Sequence, residues 1–312
     1  MGWIKKGIVL GGALLFLGGC AGGVEPAGSS TEEHQQPNHS EAEKDTNKGK
    51  NNEAHQPDLS KEREQDKGTS QGDDEDTVTE RALVQKYSSI QPRQWGENVT
   101  GVKTALNTQE KVIALTLDAC GGPNGSGYDQ LLIQFLQQQK IPATLFVNSR
   151  WIDANKEAFL ALSRDPLFEI ENHGTEHKPL SVKGQSAYGV KGTESVAEAV
   201  REVMTNENKI LELTGKKPKY FRSGTAYYDE VAVQIASDLG ETAVNYNVLG
   251  DAGATFTSEQ VKSALLAAQP GSIALLHMNQ PKSGTAQGII QAVPLLIEQG
   301  FRFVKLEDHS LK

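Results

Sequence analysis

Cysteine is almost missing from this chain: two occur in 312 residues, Cys20 and Cys120. Two cysteines allow one disulfide at most, so the fold cannot depend on a cross-linked framework. Positive charge is short as well, with 31 Lys and Arg against 40 Asp and Glu and a net charge of -9. No basic patch that could follow a phosphate backbone is present, and nothing supports nucleic acid binding. Long apolar runs are lacking. The run from Ile8 to Leu17 is about half of the ~20 residues that span a bilayer as a helix. No aromatic residue stands between Phe16 and Tyr87. Histidine numbers seven, and four of these, His34, His39, His55 and His309, lie in a polar stretch or near the C-terminus. The central part of the chain therefore has only His173, His177 and His277.

What is present divides the chain unevenly. Lys5 and Lys6 precede the short apolar run, the pattern of a signal peptide over residues 1–19. Leu17-Gly18-Gly19-Cys20 resembles the lipobox of bacterial lipoproteins. That resemblance implies a lipid on Cys20 and an extracytoplasmic chain anchored to the cell membrane. Cys120 then has no partner for an intramolecular disulfide. Residues 20–90 are expected to be a disordered polar tether, because between Ala27 and Val78 the only aliphatic side chains are Ala42, Ala54 and Leu59. Such a segment buries too little apolar surface to offset the entropy of ordering it. Ordered structure is expected to begin between Val78 and Trp95 and to form a catalytic domain over 91–312.

From Lys111 onward, apolar runs of strand length alternate with helical patterns. Strands are expected at 112–116, 143–147, 168–171, 220–221, 242–246, 272–276 and 301–304. Helices are expected at about 128–139, 155–163, 194–213, 229–239, 257–268 and 286–299, with Thr257-Ser258-Glu259-Gln260 as a capping box. This alternation predicts an α/β domain with a mainly parallel sheet, open or closed into a barrel. In either form chemistry belongs at the C-terminal ends of the strands. Asp118, His173, His177, Arg222, Asp251 and His277 all fall there. The spacing of His173 and His177, four apart, suits two imidazoles on one side of a helical turn converging on one ion.

Each of these residues also has a plainer reading. Asp118 could cap a helix, His277 could be a satisfied core histidine, Arg222 a structural ion-pair partner and Asp251 a turn residue. Trp151, Tyr227 and Tyr228 could stack on sugar faces or belong to the core.

The order of the segments resembles the polysaccharide deacetylases, the NodB-homology group of carbohydrate esterase family 4, over about 108–308. Val-Ile-Ala-Leu-Thr-Leu-Asp at 112–118 is similar to the first family motif, and Asn172-His173-Gly174-Thr175-Glu176-His177-Lys178-Pro179-Leu180 to the second. Phe221-Arg222-Ser223-Gly224-Thr225 resembles the arginine motif, and Ser272 to His277 the final Leu-x-His. The resemblance implies a distorted (β/α) barrel of about seven strands. It implies a divalent metal ion, zinc being expected, held by His173 and His177. It also implies Asp118 as general base, His277 as general acid, Arg222 orienting Asp118, and Asp251 tuning His277. Backbone N–H groups at 225–227, beginning with Thr225, would hold the oxyanion.

One departure matters. The family's second aspartate, a metal ligand, is replaced by Ala119, followed by Cys120. Three residues could stand in: Asp118 itself, then Asp129, and last Cys120, because an exposed extracytoplasmic thiolate oxidises. The resemblance implies a membrane-anchored, metal-dependent hydrolase that removes acetyl groups from an N-acetylated envelope polysaccharide such as peptidoglycan. Two other readings stay open: a catalytically impaired glycan-binding lipoprotein on the same fold, and a small-molecule C–N hydrolase.

Overall fold

The structure, a computed structural model, describes residues 70–312; the expected signal peptide, the lipidation site Cys20 and the tether up to 69 lie outside the described residues. An eight-stranded sheet dominates it. Its strands are β1 Val112–Ala119, β2 Ala143–Val147, β3 Phe168–Asn172, β4 Tyr220–Phe221, β5 Thr242–Ala243, β6 Val248–Leu249, β7 Ser272–His277 and β8 Arg302–Val304. Seven of them run in the order β6-β7-β1-β2-β3-β4-β5, and β8 pairs with Val112–Ala114 of β1. Every pair is parallel. The sheet curls into a half-barrel. Lys103 bridges Val244 beyond β5 and Ala105 bridges Ser272 of β7, so the segment before β1 touches both sides of the curled sheet.

Strand β1 is buried at every position, as expected where helices cover one face and the barrel interior lies on the other. Alternation sorts its side chains. Ile113, Leu115, Leu117 and Ala119 join the outer core beneath the helices. Val112 and Ala114 join Leu106, Phe146, Ile273 and Leu306 in an inner cluster. Thr116 and Asp118 continue that inner row, so the interior turns from apolar to polar towards the C-terminal end of the strand.

The flanking helices are α1 Ser70–Tyr87, α2 Gln130–Gln139, α3 Ser149–Ala154, α4 Lys156–Arg164, α5 Val196–Thr214, α6 Glu230–Asp238, α7 Ser258–Leu266 and α8 Thr285–Glu298. The capping box at Thr257 and Gln260 opens α7 as expected. The helix expected over 155–163 is present as α4, and a short helix that the sequence did not suggest, α3, precedes it and ends at Asn155. The Asn155 side chain is held there by the carbonyls of Ser126 and Trp151 at 3.0 and 3.1 Å.

Helix α1 corrects the expected boundary of the tether. Residues 70–87 are helical, and Leu83 and Tyr87, four apart, are buried against α5 and α6. Lys86 and Tyr87 both reach Asp238, at 2.5 and 2.8 Å, and Arg201 reaches Glu80 at 2.7 Å. The composition of the segment concealed these few apolar anchors. Trp151 and Tyr228 are fully buried, which assigns both to the core.

Candidate active site

Strand register brings the chemistry together. Asp118 and His277 are direct partners across β1 and β7. Ala119, Val147, Asn172 and Phe221 form one row across β1 to β4. The next residue on each strand is Cys120, Asn148, His173 and Arg222. Residues more than a hundred positions apart thus share one edge because parallel strands end level.

Asp118 is held by a buried cation. Arg222, fully buried, donates from Nη1 to Asp118 Oδ1 at 2.7 Å and to Thr116 Oγ1 at 2.8 Å. Its other nitrogens donate to the carbonyls of Val244 and Asn245, both at 3.1 Å, and its guanidinium lies 4.2 Å over the Phe146 ring. Burial alone would push the Asp118 carboxyl up, but Arg222, His173 and His277 outweigh it and hold it below the usual carboxylate range. Asp118 is therefore a carboxylate at neutral pH.

The two histidines meet differently from the helical turn expected of their spacing. Residues 173–179 are irregular backbone, with Gly174 at φ 76° and His177 at φ 61°. Left-handed geometry at a histidine is costly and needs support. Glu202 of α5, buried, supplies it by accepting from the N–H groups of Glu176 (3.1 and 3.0 Å) and Lys178 (3.1 Å) on either side of His177. Burial pushes the Glu202 carboxyl up to about 7. Asn148 holds the carbonyls of His173 and Gly174 at 3.0 and 2.7 Å. Gly224 has no Cβ to strike the His177 carbonyl, which passes directly above it.

These supports aim both imidazoles into one space. His173 donates from Nδ1 to the Arg222 carbonyl at 2.8 Å, leaving Nε2 as the free face. His177 Nε2 is buried without a hydrogen-bond partner. Cys120 Sγ lies 3.8 Å from His173 Nε2, and the ligand atoms of Cys120, His173 and His177 all fall within 4.8 Å of one another. Burial would raise the Cys120 thiol, yet the histidines outweigh it and hold it well below the ordinary thiol value. Asp118 Oδ2 is 3.6 Å from His173 Nε2. A carboxylate, a thiol whose ionisation the histidines favour and a partnerless imidazole nitrogen facing one small space make a site suited to a divalent cation.

This geometry reorders the expected substitutes for the missing aspartate. Cys120, ranked last in the sequence, completes the cluster of ligand atoms, while Asp118 stands beside it bound to Arg222. Asp129 is not part of it: its carboxylate caps α2, accepting from Leu132 N at 3.0 Å. Half-buried among three imidazoles in the cleft, with its ionisation favoured by them, the thiol keeps the oxidation liability that ranked it last, but its position makes it a ligand.

His277 and Asp251 form the second dyad. Nδ1 of His277 donates to Asp251 Oδ1 at 2.8 Å, and the His277 backbone N–H and Thr285 Oγ1 donate to Oδ2 at 2.8 and 2.9 Å. Burial would lower the His277 pKa, but Asp251 and Cys120 reverse this and raise it well above the usual value. Of the expected oxyanion donors, the Ala226 N–H is already spent on the Ser223 carbonyl at 3.0 Å. The Thr225 hydroxyl, buried and without a partner, is a donor that the sequence did not reveal. Asp118, Cys120, His177, Thr225 and His277 open into a cleft of about 750 Å³.

Known proteins share this fold. Residues 105–244 match the family model described as Polysaccharide deacetylase. A bifunctional xylanase/deacetylase of Pseudobutyrivibrio xylanivorans is 24% identical over 212 residues, covering 67% of this chain. The chain spans about a third, 32%, of that relative's length. Among solved structures, Bacillus subtilis PdaA, a family 4 carbohydrate esterase, is 22% identical with a TM-score of 0.55 over 73% of this chain and 87% of that one. A CE4 family pseudoenzyme from Bacillus anthracis is 19% identical with a TM-score of 0.57, over 75% and 81%. These likenesses show the NodB-type fold.

Proposed function

We propose that this polysaccharide deacetylase-like chain is a metal-dependent hydrolase that removes acetyl groups from an N-acetylated envelope polysaccharide such as peptidoglycan, anchored at the membrane through lipid on Cys20. The observation that carries the reading is the pairing of two dyads, Asp118 with Arg222 and His277 with Asp251, at register-adjacent positions around one cluster of ligand atoms. Cys120, His173 and His177 would hold the ion, with Asp118 at its side. A divalent ion there would polarise the acetyl carbonyl and acidify a water.

The chain's own residues account for the proton movements. Asp118, ionised and fixed by Arg222, accepts the proton of the attacking water. His277, kept protonated by Asp251, donates from Nε2 to the departing amine. The Thr225 hydroxyl donates to the acetyl oxygen as it gains charge. A lipid anchor and polar tether suit a polymer fixed in the envelope, whereas a diffusing solute gains nothing from them.

One observation favours a second reading, an impaired glycan-binding protein. Ala119 is fully buried and supplies no ligand atom where the family has an aspartate. Elemental analysis of the purified chain, followed by acetate release from N-acetylglucosamine oligomers, separates the two. One divalent ion per chain with acetate release is expected. An ion-free, inactive chain after reconstitution with zinc or cobalt would transfer the assignment to the binding reading.

A further inference from the structure

Three of the exposed large apolar side chains, Tyr188, Val190 and Leu249, line the same cleft as Asp118, His177 and His277. Single exposed apolar residues are ordinary, but several gathered at the mouth of a polar cleft mark a ligand-binding wall. Tyr188 is 75% exposed, yet it is firmly built in. It occupies the turn of a hairpin formed by Ser186–Ala187 and Val190–Lys191, with left-handed backbone at Tyr188 (φ 51°) and Gly189 (φ 76°). Successive left-handed residues make a tight hairpin turn at a steric cost for tyrosine. The phenol donates to Glu97 Oε1 at 3.0 Å, and Tyr246 donates to the other oxygen of that carboxylate at 3.0 Å. The Tyr188 ring meets Tyr227 at 5.4 Å between centroids, and Tyr227 leans on Trp95 at 5.7 Å. An aromatic ring is thus held out in solvent by a hairpin, a carboxylate and the ring of Tyr227, itself braced by Trp95.

We propose that the Tyr188 hairpin is a glycan subsite, on which the apolar C–H face of a pyranose ring stacks beside the sugar whose acetyl group reaches Asp118 and His277. The inference rests on the deacetylase reading and deepens it, because it assigns the recognition of a neighbouring sugar in the polymer to a named side chain. Sugars present an apolar face edged by hydroxyls, and tyrosine offers a matching apolar face with a polar rim. Glu97 has acceptor capacity beyond its two phenols and can take a sugar hydroxyl. The cleft, about 750 Å³, far exceeds what an acetyl group fills.

The test is calorimetric titration of the full chain, Tyr188→Ala and Tyr188→Phe with N-acetylglucosamine and its tetramer, with melting temperatures confirming that each variant is folded. The parent should bind the tetramer more tightly than the monosaccharide. Tyr188→Ala should reduce that preference by about 3- to 10-fold, the worth of one aromatic contact, and Tyr188→Phe should keep most of it. Tetramer binding with the same preference in Tyr188→Ala as in the parent overturns the subsite alone. A parent that binds both sugars without a length preference also overturns it. Binding and deacetylation of neither sugar would take the deacetylase reading down as well.

Discussion

Replacing Arg222 with methionine isolates what the buried cation does. Methionine keeps most of the side chain's length and its packing on Phe146 but removes the charge and every N–H. Four hydrogen bonds go, to Val244 O, Thr116 Oγ1, Asp118 Oδ1 and Asn245 O. Asp118, 3% exposed, is left without its principal counter-charge. Removing one partner of a buried pair costs about 3–5 kcal/mol, and two newly unpaired carbonyls favour the upper end of that range. Against a domain stability of about 5–15 kcal/mol the loss is severe but measurable. It should also depend on pH. In the parent the Asp118 pKa is depressed, so its contribution is present above the unfolded pKa and is lost as pH falls through the folded one. In R222M burial is opposed only by the histidines, the pKa rises, and the penalty eases once Asp118 is protonated. Urea unfolding at pH 5 and pH 8 should show the larger loss at pH 8, and adding Asp118→Asn should recover a substantial part of it. A loss below about 1 kcal/mol, or one equal at both pH values, would refute the idea of a charge pair that supports the site.

Other expected outcomes concern the ion and the two proton carriers. His177→Ala should abolish metal binding with little change in melting temperature, read by elemental analysis; the cobalt-loaded parent should show a thiolate-to-metal absorption band that Cys120→Ser removes, and its absence from the parent would return the ligand role to Asp118. Asp251→Asn removes the main influence raising the His277 pKa, so the alkaline limb of the pH–rate profile should move to lower pH, with turnover reduced about 10–100-fold; an unmoved limb would dissociate His277 from the proton transfer. Glu202→Ala frees the N–H groups of Glu176 and Lys178 around His177, which should cost about 2 kcal/mol of stability and weaken metal affinity at least about 10-fold, the usual worth of outer support. Glu202→Gln retains an acceptor, so its affinity should stay close to the parent's.

The frame was legible because its signals are local. Apolar runs of five to eight residues between helical patterns mark strands buried on both faces, and Ala143–Val147 and Tyr220–Phe221 fall where the sequence placed them. The α/β class and the location of Asp118, His173, Arg222 and His277 at strand ends follow from that alternation alone. Helix α1 was less legible, since a mostly polar composition masks a stripe of only a few anchors, Leu83 and Tyr87 among them.

Tertiary structure decided the rest, because the decisive contacts join residues far apart in sequence. Spacing suggested a helical turn for His173 and His177; what orders them is a loop held by Glu202 and Asn148 and seated on Gly224. Nothing local distinguishes Cys120, facing the histidines, from Asp129, turned away as a helix cap. The pairing of Asp251 with His277 across 26 residues and the gathering of Tyr188, Tyr227 and Trp95 beside the cleft likewise depend on how distant loops meet. Sequence therefore determined which residues could do chemistry and on which edge of the sheet. Strand register and loop packing determined which of them share one ion, one proton path and one wall.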